Sequence, residues 1–386
     1  MPGWSIDFLA TAPPEETRSG LSRVVWDLGA RLVQRGHRVR VLYPSEPFAT
    51  APPHAGVERV PLPVVGLKRE TYARERAIAR AASDLLSPMA DLIVANDEKG
   101  GAIELPRGPR AGRPIFGMFA HDVQQHHLMT MRAATQPNPT FRQRIGTWLD
   151  RRAIQKLEST AFRRASAVVV GSEANKELLR KYYPVPAEKI HVIPPSIPPL
   201  ADSGDRAASR EALRIPLDVP VVSFIGRTPD RQGLPLALEA FRRVRVFFPG
   251  ARFLVVGGPA PSEPGVAALG IVDEVTKAQV LRASDLFLFP ARYEGFGLAP
   301  REAMRAGVAT ILSRHVPLDG NDGVEVARIV KEDDAGAYAS ELAELLADPA
   351  LRRTLAERGR AYSERFGPEV MAEKFEAVFR PFLPDA

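Results

Sequence analysis

The stretch Asp285–Gly307, DLFLFPARYEGFGLAPREAMRAG, constrains the fold more than any other part of the chain. Asp285–Phe289 reads as a buried strand and Leu298–Ala306 as a helix closed by Gly307. Between them lie Glu294, Gly295, Phe296 and Gly297. A strand that runs through a glycine loop into a helix leaves unpaired N–H groups and the positive end of the helix dipole at the loop. Glycines let that backbone approach an anion closely. Seven residues separate Glu294 from Glu302, which sits about one turn into the helix and still faces the same cleft. This pattern predicts a diphosphate ligand carrying polyol groups, with phosphates on the N–H groups and hydroxyls on the two carboxylates.

The same alternation of strand and helix recurs along the chain. Ile6–Ala10, Val39–Tyr43, Leu92–Ala95, Ile115–Phe119, Ala167–Val170 and His191–Ile193 read as strands, and Leu21–Arg35 as a helix with apolar residues at helical spacing. After the proline-rich run Ile193–Leu200, a linker by composition, a second block begins. Its strands are Val221–Ile225, Phe253–Val256 and Leu286–Phe289, and its helices Pro235–Phe247 and Thr276–Ala283. Alternation of this kind predicts an α/β protein of two doubly wound parallel sheets, with ligands outside the carboxyl ends of the strands. Gly226, Gly257 and Glu294 stand at such ends. The domains expected are residues 1–198 and 199–367, followed by a helical tail at 368–386. A length of 386 residues suits two domains.

The Glu294–Glu302 pair with its glycines resembles the E-x(7)-E signature of glycosyltransferase family 4, whose members have the GT-B fold of two facing Rossmann-like domains. The resemblance implies a retaining transferase that moves a sugar from a nucleotide-diphosphate sugar. Glu294 would lie by the transferred sugar and Glu302 on the ribose. Gly295, Phe296, Gly297 and Leu298 would offer backbone to sugar and phosphates. Gly226-Arg227 resembles the family's strand ending in Gly-Arg, whose arginine contacts the diphosphate; a guanidinium fork suits phosphate oxygens. Where the family places Lys-Gly, this chain has Gln232-Gly233, with Arg231 alongside. His121, after strand Ile115–Phe119, resembles the family's His-Asp near the reacting carbon and the acceptor. Ser19-Gly20 resembles its Gly-Gly phosphate loop, with one glycine replaced. Ser172-Glu173 resembles its Ser-Glu strand end and reads equally as a helix N-cap. The final helix is implied to cross back onto the first domain.

The chain has no cysteine, so disulfides and thiol chemistry are excluded. His121, Asp122, His126 and His127 have the ligand types of a metal site, but the resembling family is metal-independent, and neither metal nor cofactor is expected. No apolar run reaches a membrane span and the N-terminus lacks signal-peptide features, so the expected location is the cytoplasm, with the inner membrane face as a peripheral site. A net charge of +6 suggests an anionic partner. Lys68–Arg80 is one basic stretch. Arg142–Arg164 is another, with Ile145, Leu149, Ala153, Leu157 and Ala161 every fourth residue; it reads as an amphipathic helix, either core-packed with a solvated face or docked on anionic lipid. The acceptor expected is a glycan, a lipid-linked molecule or a small hydroxyl compound. Nothing points to nucleic acid. Two alternatives share the fold: a sugar-nucleotide epimerase, and a non-catalytic nucleotide-sugar binder.

Overall fold

The computed structural model describes residues 3–10, 20–44, 56–63, 72–107, 114–121, 140–319 and 325–383. They form two units, one of the described residues up to Ser196 together with those from Pro368, the other of Ile197–Gly367.

The first unit is built on β1 (Ser5–Leu9), β2 (Arg38–Pro44), β3 (Glu58–Leu62), β4 (Leu92–Asn96), β5 (Ile115–Ala120), β6 (Ala167–Val170) and β7 (Ile190–Val192). All pairings are parallel, in the order β3-β2-β1-β4-β5-β6-β7. Among the described residues the connecting helices are α1 (Gly20–Gln34), α2 (Tyr72–Leu85), α3 (Phe141–Arg164) and α4 (Glu173–Tyr182). Buried strands in such a sheet need apolar residues on both faces, and β1 and β4 are buried throughout.

The second unit repeats the plan with β8 (Val221–Ile225), β9 (Arg252–Val256), β10 (Val266–Gly270), β11 (Leu286–Phe289), β12 (Ala309–Ser313) and β13 (Arg328–Val330), in the order β10-β9-β8-β11-β12-β13. Its helices are α5 (Arg206–Ala212), α6 (Pro229–Gln232), α7 (Leu234–Arg245), α8 (Glu274–Ala283), α9 (Leu298–Arg305), α10 (Ala335–Ala347) and α11 (Pro349–Glu364). Phe224, Phe253, Phe287 and Phe289 fill its core. The strand order reverses between β1 and β4 in one sheet and between β8 and β11 in the other. Those are the topological switch points, where open α/β sheets bind ligands.

The last helix, α12 (Pro368–Phe379), returns to the first unit. Phe375 is buried, with its ring centroid 5.7 Å from Phe8 and 6.1 Å from Phe119. Phe379 lies so close to the sheet that a Cβ at Gly117 would stand 2.5 Å from its ring. Burying one such phenylalanine contributes about 1.5–3 kcal/mol. Glu376 adds charge: its carboxylate accepts from Arg35 Nε and Nη2 at 2.7 and 2.9 Å, and from His37 Nε2 at 3.0 Å.

The second basic stretch is helical, but its every-fourth-residue stripe is not one buried face. Leu157 and Ala161 are buried, whereas Leu149 is 55% exposed beside an exposed Trp148. Four residues advance a helix by more than one turn, so the stripe has wound out of the core by Leu149. The side chains of Arg142, Arg144, Ile145 and Arg151, and residues Lys68 and Arg69 of the first stretch, lie outside what the structure describes. No helix among the described residues is long and apolar enough to cross a membrane.

Candidate functional site

The second unit assembles its site where β8, β9 and β11 end. Gly226 N–H donates to Val256 O at 2.9 Å, and Gly257 has φ +98°, with room for no Cβ against Gly226 O. Gly233, at φ +81°, would drive a Cβ to 1.9 Å from Pro290 O. Arg292 N–H donates to Arg231 O at 2.8 Å. The turns after β8 and β11 are thus fastened together beside the switch point. Arg227 projects from this place as an exposed side chain.

After β11 the chain forms the loop ending in Gly297 (φ +87°), which caps α9. Glu294 is half-buried and its Oε1 accepts from Gly297 N–H at 3.3 Å. Glu302, 6% exposed, lies one turn into α9, and its Oε1 is 3.1 Å from Lys277 Nζ of α8. Gly307, at φ +74°, closes the helix: its N–H donates to Met304 O and that of Val308 to Ala303 O, the paired bonds of a Schellman ending.

Gln232 has a structural task. Its Oε1 accepts from Thr228 N–H at 2.9 Å and seals the Gly226–Thr228 turn. Arg231 Nε donates to Thr228 Oγ1 at 3.3 Å. An amide closes this loop where the family pattern has a cation.

Sequence reasoning passed over Arg301. It has no exposed surface, and its guanidinium donates to the carbonyls of Phe296, Gly297 (3.4 Å) and Pro317 (2.7 Å) and to the Tyr362 hydroxyl (3.0 Å). The Phe296 ring centroid is 3.9 Å from its Cζ. Burial lowers its pKa from the ordinary arginine value, while Tyr362, Asp319 and Glu294 pull the other way. The only sequence signal was a charged residue on the inward side of a short helix.

In the first unit, His121 follows β5. Its N–H donates to Asp97 Oδ1 at 3.1 Å, its carbonyl accepts from Asn175 Nδ2 at 2.8 Å, and its ring stacks on Phe119. Asp97 holds a left-handed backbone at φ +53°, an uncommon conformation for a non-glycine residue. Beside it, Asn96 ends β4 at the switch point, 1% exposed, with neither amide N nor O hydrogen-bonded. Sequence reasoning missed Asn96 as well. Ser172 is an N-cap whose Oγ accepts from Asn175 N–H at 3.1 Å, so the capping alternative describes it. Gly20 begins α1. Ser19, Asp122, His126 and His127 lie outside the described residues. Among the described residues, no group of three or more His, Asp or Glu is placed to hold a metal.

Two strand-end sites on two doubly wound sheets agree with what the sequence matches. The glycosyltransferase family 4 model covers residues 18–199, and the glycosyl transferases group 1 model covers residues 219–348. The chain belongs to glycosyltransferase family 4. This family-4 chain is 31% identical over 234 residues to D-inositol 3-phosphate glycosyltransferase of Segniliparus rotundus, covering 56% of this chain and 52% of that one. The chain spans about half the length of the first such relatives, 52%, 54% and 56%. It is 26% identical over 378 residues to phosphatidyl-myo-inositol mannosyltransferase of Mycobacterium tuberculosis, covering 93% and 92% of the two. Its fold matches sucrose-phosphate synthase from Thermosynechococcus elongatus with a TM-score of 0.76 at 20% identity, over 98% and 99% of the two chains. The GT-B fold of two Rossmann-like domains follows for the family-4 chain.

Proposed function

We propose that this chain transfers a sugar from a nucleotide-diphosphate sugar to an acceptor hydroxyl, with retention at the anomeric carbon. One observation carries the proposal: at the switch point of the second sheet, Arg227 follows β8 while Glu294, the Gly297-capped helix start and Glu302 follow β11. That set suits a diphosphate with a sugar on one side and a ribose on the other. The acceptor oxygen forms the new bond to the anomeric carbon as the bond to the diphosphate breaks; the diphosphate leaves with the electron pair and takes the acceptor proton. Arg227 and the loop N–H groups stabilise the leaving charge, Glu294 holds the sugar, and Glu302 the ribose. His121, clamped through its backbone by Asp97 and Asn175, positions sugar or acceptor. Asn96 offers a buried amide to a hydroxyl.

The names of the two relatives point to an inositol-bearing acceptor. An exposed Trp148 with Arg152 4.1 Å above its ring, beside exposed Leu149 and Lys156, supports weak docking of α3 on anionic lipid and hence a lipid-linked acceptor.

Calorimetry with UDP, GDP and ADP tests the donor site. Binding of one of them, weakened about tenfold or more by Glu302→Ala in a folded protein, is expected. Unchanged affinity in that variant would remove the ribose role, and no binding by the unaltered chain would remove the proposed function.

A further inference from the structure

The fold places a full positive charge inside the second unit where the proposed chemistry has not yet used one. Arg301 stands between Pro300 and Glu302 on α9, on the side of the helix facing the core. The four oxygens it donates to are neutral, three carbonyls and one hydroxyl, and the hydroxyl itself donates onward to Asp319 O at 2.9 Å. Among the described residues no carboxylate lies within ion-pair distance of it. Taking an ion out of water costs several kcal/mol, and neutral acceptors return only part of that. Aliphatic packing at this position would be the cheaper core.

Two of those acceptors belong to the anion-binding loop. By holding the Phe296 and Gly297 carbonyls inward, Arg301 fixes the orientation of the peptides whose N–H groups open α9. The rings of Phe296, Tyr362 and Phe366 surround the guanidinium, at 3.9, 5.6 and 5.0 Å from Cζ, and keep water away from it. A charge in such surroundings is weakly screened and acts over a longer distance than one in solvent. Its nearest carboxylate influences include Glu294, on the same loop. Meanwhile Gln232, where the family pattern has lysine, spends its amide on the Thr228 turn and brings no charge.

We propose that Arg301 is a positioning residue of the donor site, a buried cation that sets the Phe296–Gly297 turn and supplies from behind it the positive charge that position 232 lacks. This inference rests on the proposed function, because it needs a diphosphate on the loop.

Calorimetric titration of the full chain with UDP, GDP and ADP, comparing wild type, R301K and R301M, tests it. R301M is expected to lose about tenfold or more in affinity for the nucleotide that wild type binds. R301K, which keeps the charge, is expected to recover a clear part of that loss. A merely structural role would lower the thermal midpoint and the binding-competent fraction, read as stoichiometry, while the surviving protein kept its Kd. Wild-type affinity in R301M, or R301K no better than R301M, overturns the proposal. Should R301M fail to fold, Q232K in the otherwise unaltered chain decides. A site already supplied with charge gains less than about threefold, and a gain above tenfold shows a site short of charge and overturns the proposal. Absence of binding by wild type to all three nucleotides would instead count against the proposed function itself.

Discussion

Replacing Glu376 by Gln should loosen α12 from the first unit, and should do so only where Glu376 is ionised. Hydrogen bonds from Arg35, opposed by burial and aided by His37, hold its carboxyl at about 2 instead of the usual 4.5. That difference corresponds to about 3 kcal/mol. Arg35 is 28% exposed and solvent screens part of the pairing, so about 2 kcal/mol is the expected contribution. The folded-state value lies below the unfolded one. The stabilisation is therefore complete above about pH 5 and is lost as pH falls through 4.5 toward 2. Hydrogen exchange of the 368–379 segment, corrected for intrinsic rates, reads it directly. Wild type should lose about tenfold in protection between pH 7 and pH 3.5 from this group alone. Glu376→Gln should begin about thirtyfold less protected at pH 7, as about 2 kcal/mol requires, and should lack that part of the decline. An equal decline in both proteins would refute the assignment of this stability to the Arg35–Glu376–His37 cluster.

Three further outcomes are expected. Arg227→Ala should cut turnover at least about tenfold to a hundredfold, as loss of a charge stabiliser at a leaving group does, with a smaller loss for Arg231→Ala; steady-state kinetics giving the reverse order would refute the assigned roles. Asn96→Leu should raise stability by about 1 kcal/mol, since a buried amide without partners costs about 1–3 kcal/mol, while acceptor turnover falls; a lower urea midpoint would refute it. Changing Trp148, Arg152 and Lys156 together to Gln should abolish sedimentation with anionic vesicles at low salt, at about 1 kcal/mol per basic residue near the surface; equal sedimentation with anionic and neutral vesicles would leave α3 a solvated helix.

Every strand of the first sheet but β3 was legible, the edge strand β7 included, whereas in the second sheet β8, β9 and β11 were read and β10, β13 and the buried central β12 were not. β8, β9 and β11 are apolar runs followed by glycine or a glycine-bearing loop, and period alone finds them. β3 carries Glu58, Arg59 and Pro61, and β10 is half-exposed, because each borders solvent and pairs on one side only. Their alternation is too weak to register. β13 is three residues long and draws its strand character from pairing with β12. The loop from Glu294 to Gly297 was readable as the link between strand and helix because glycine and carboxylate spacing is local. Asn96 and Arg301 were not, since their meaning depends on burial: an amide in a strand or an arginine in a helix is ordinary until every neighbour is known. The stripe on α3 misled for the opposite reason. Regular spacing marked it as one face, whereas Leu149 is exposed and Leu157 is covered, with Gly101 of the Asp97–Gly101 turn against the Leu157 backbone.

The return of α12 also dictates an order of events at the ribosome. The described residues of Ile197–Gly367 cluster with one another and can pack together as soon as they emerge. The first unit, though synthesised earlier, lacks Phe375, Glu376 and Phe379 until α12 has been made and has emerged. Until then Phe8, Phe119 and the groove over Gly117 lie uncovered, as a wet apolar face. The half translated first is therefore completed last. A chain cut short before Pro368 and released would carry a finished second unit and an adhesive first one, a target for chaperone capture.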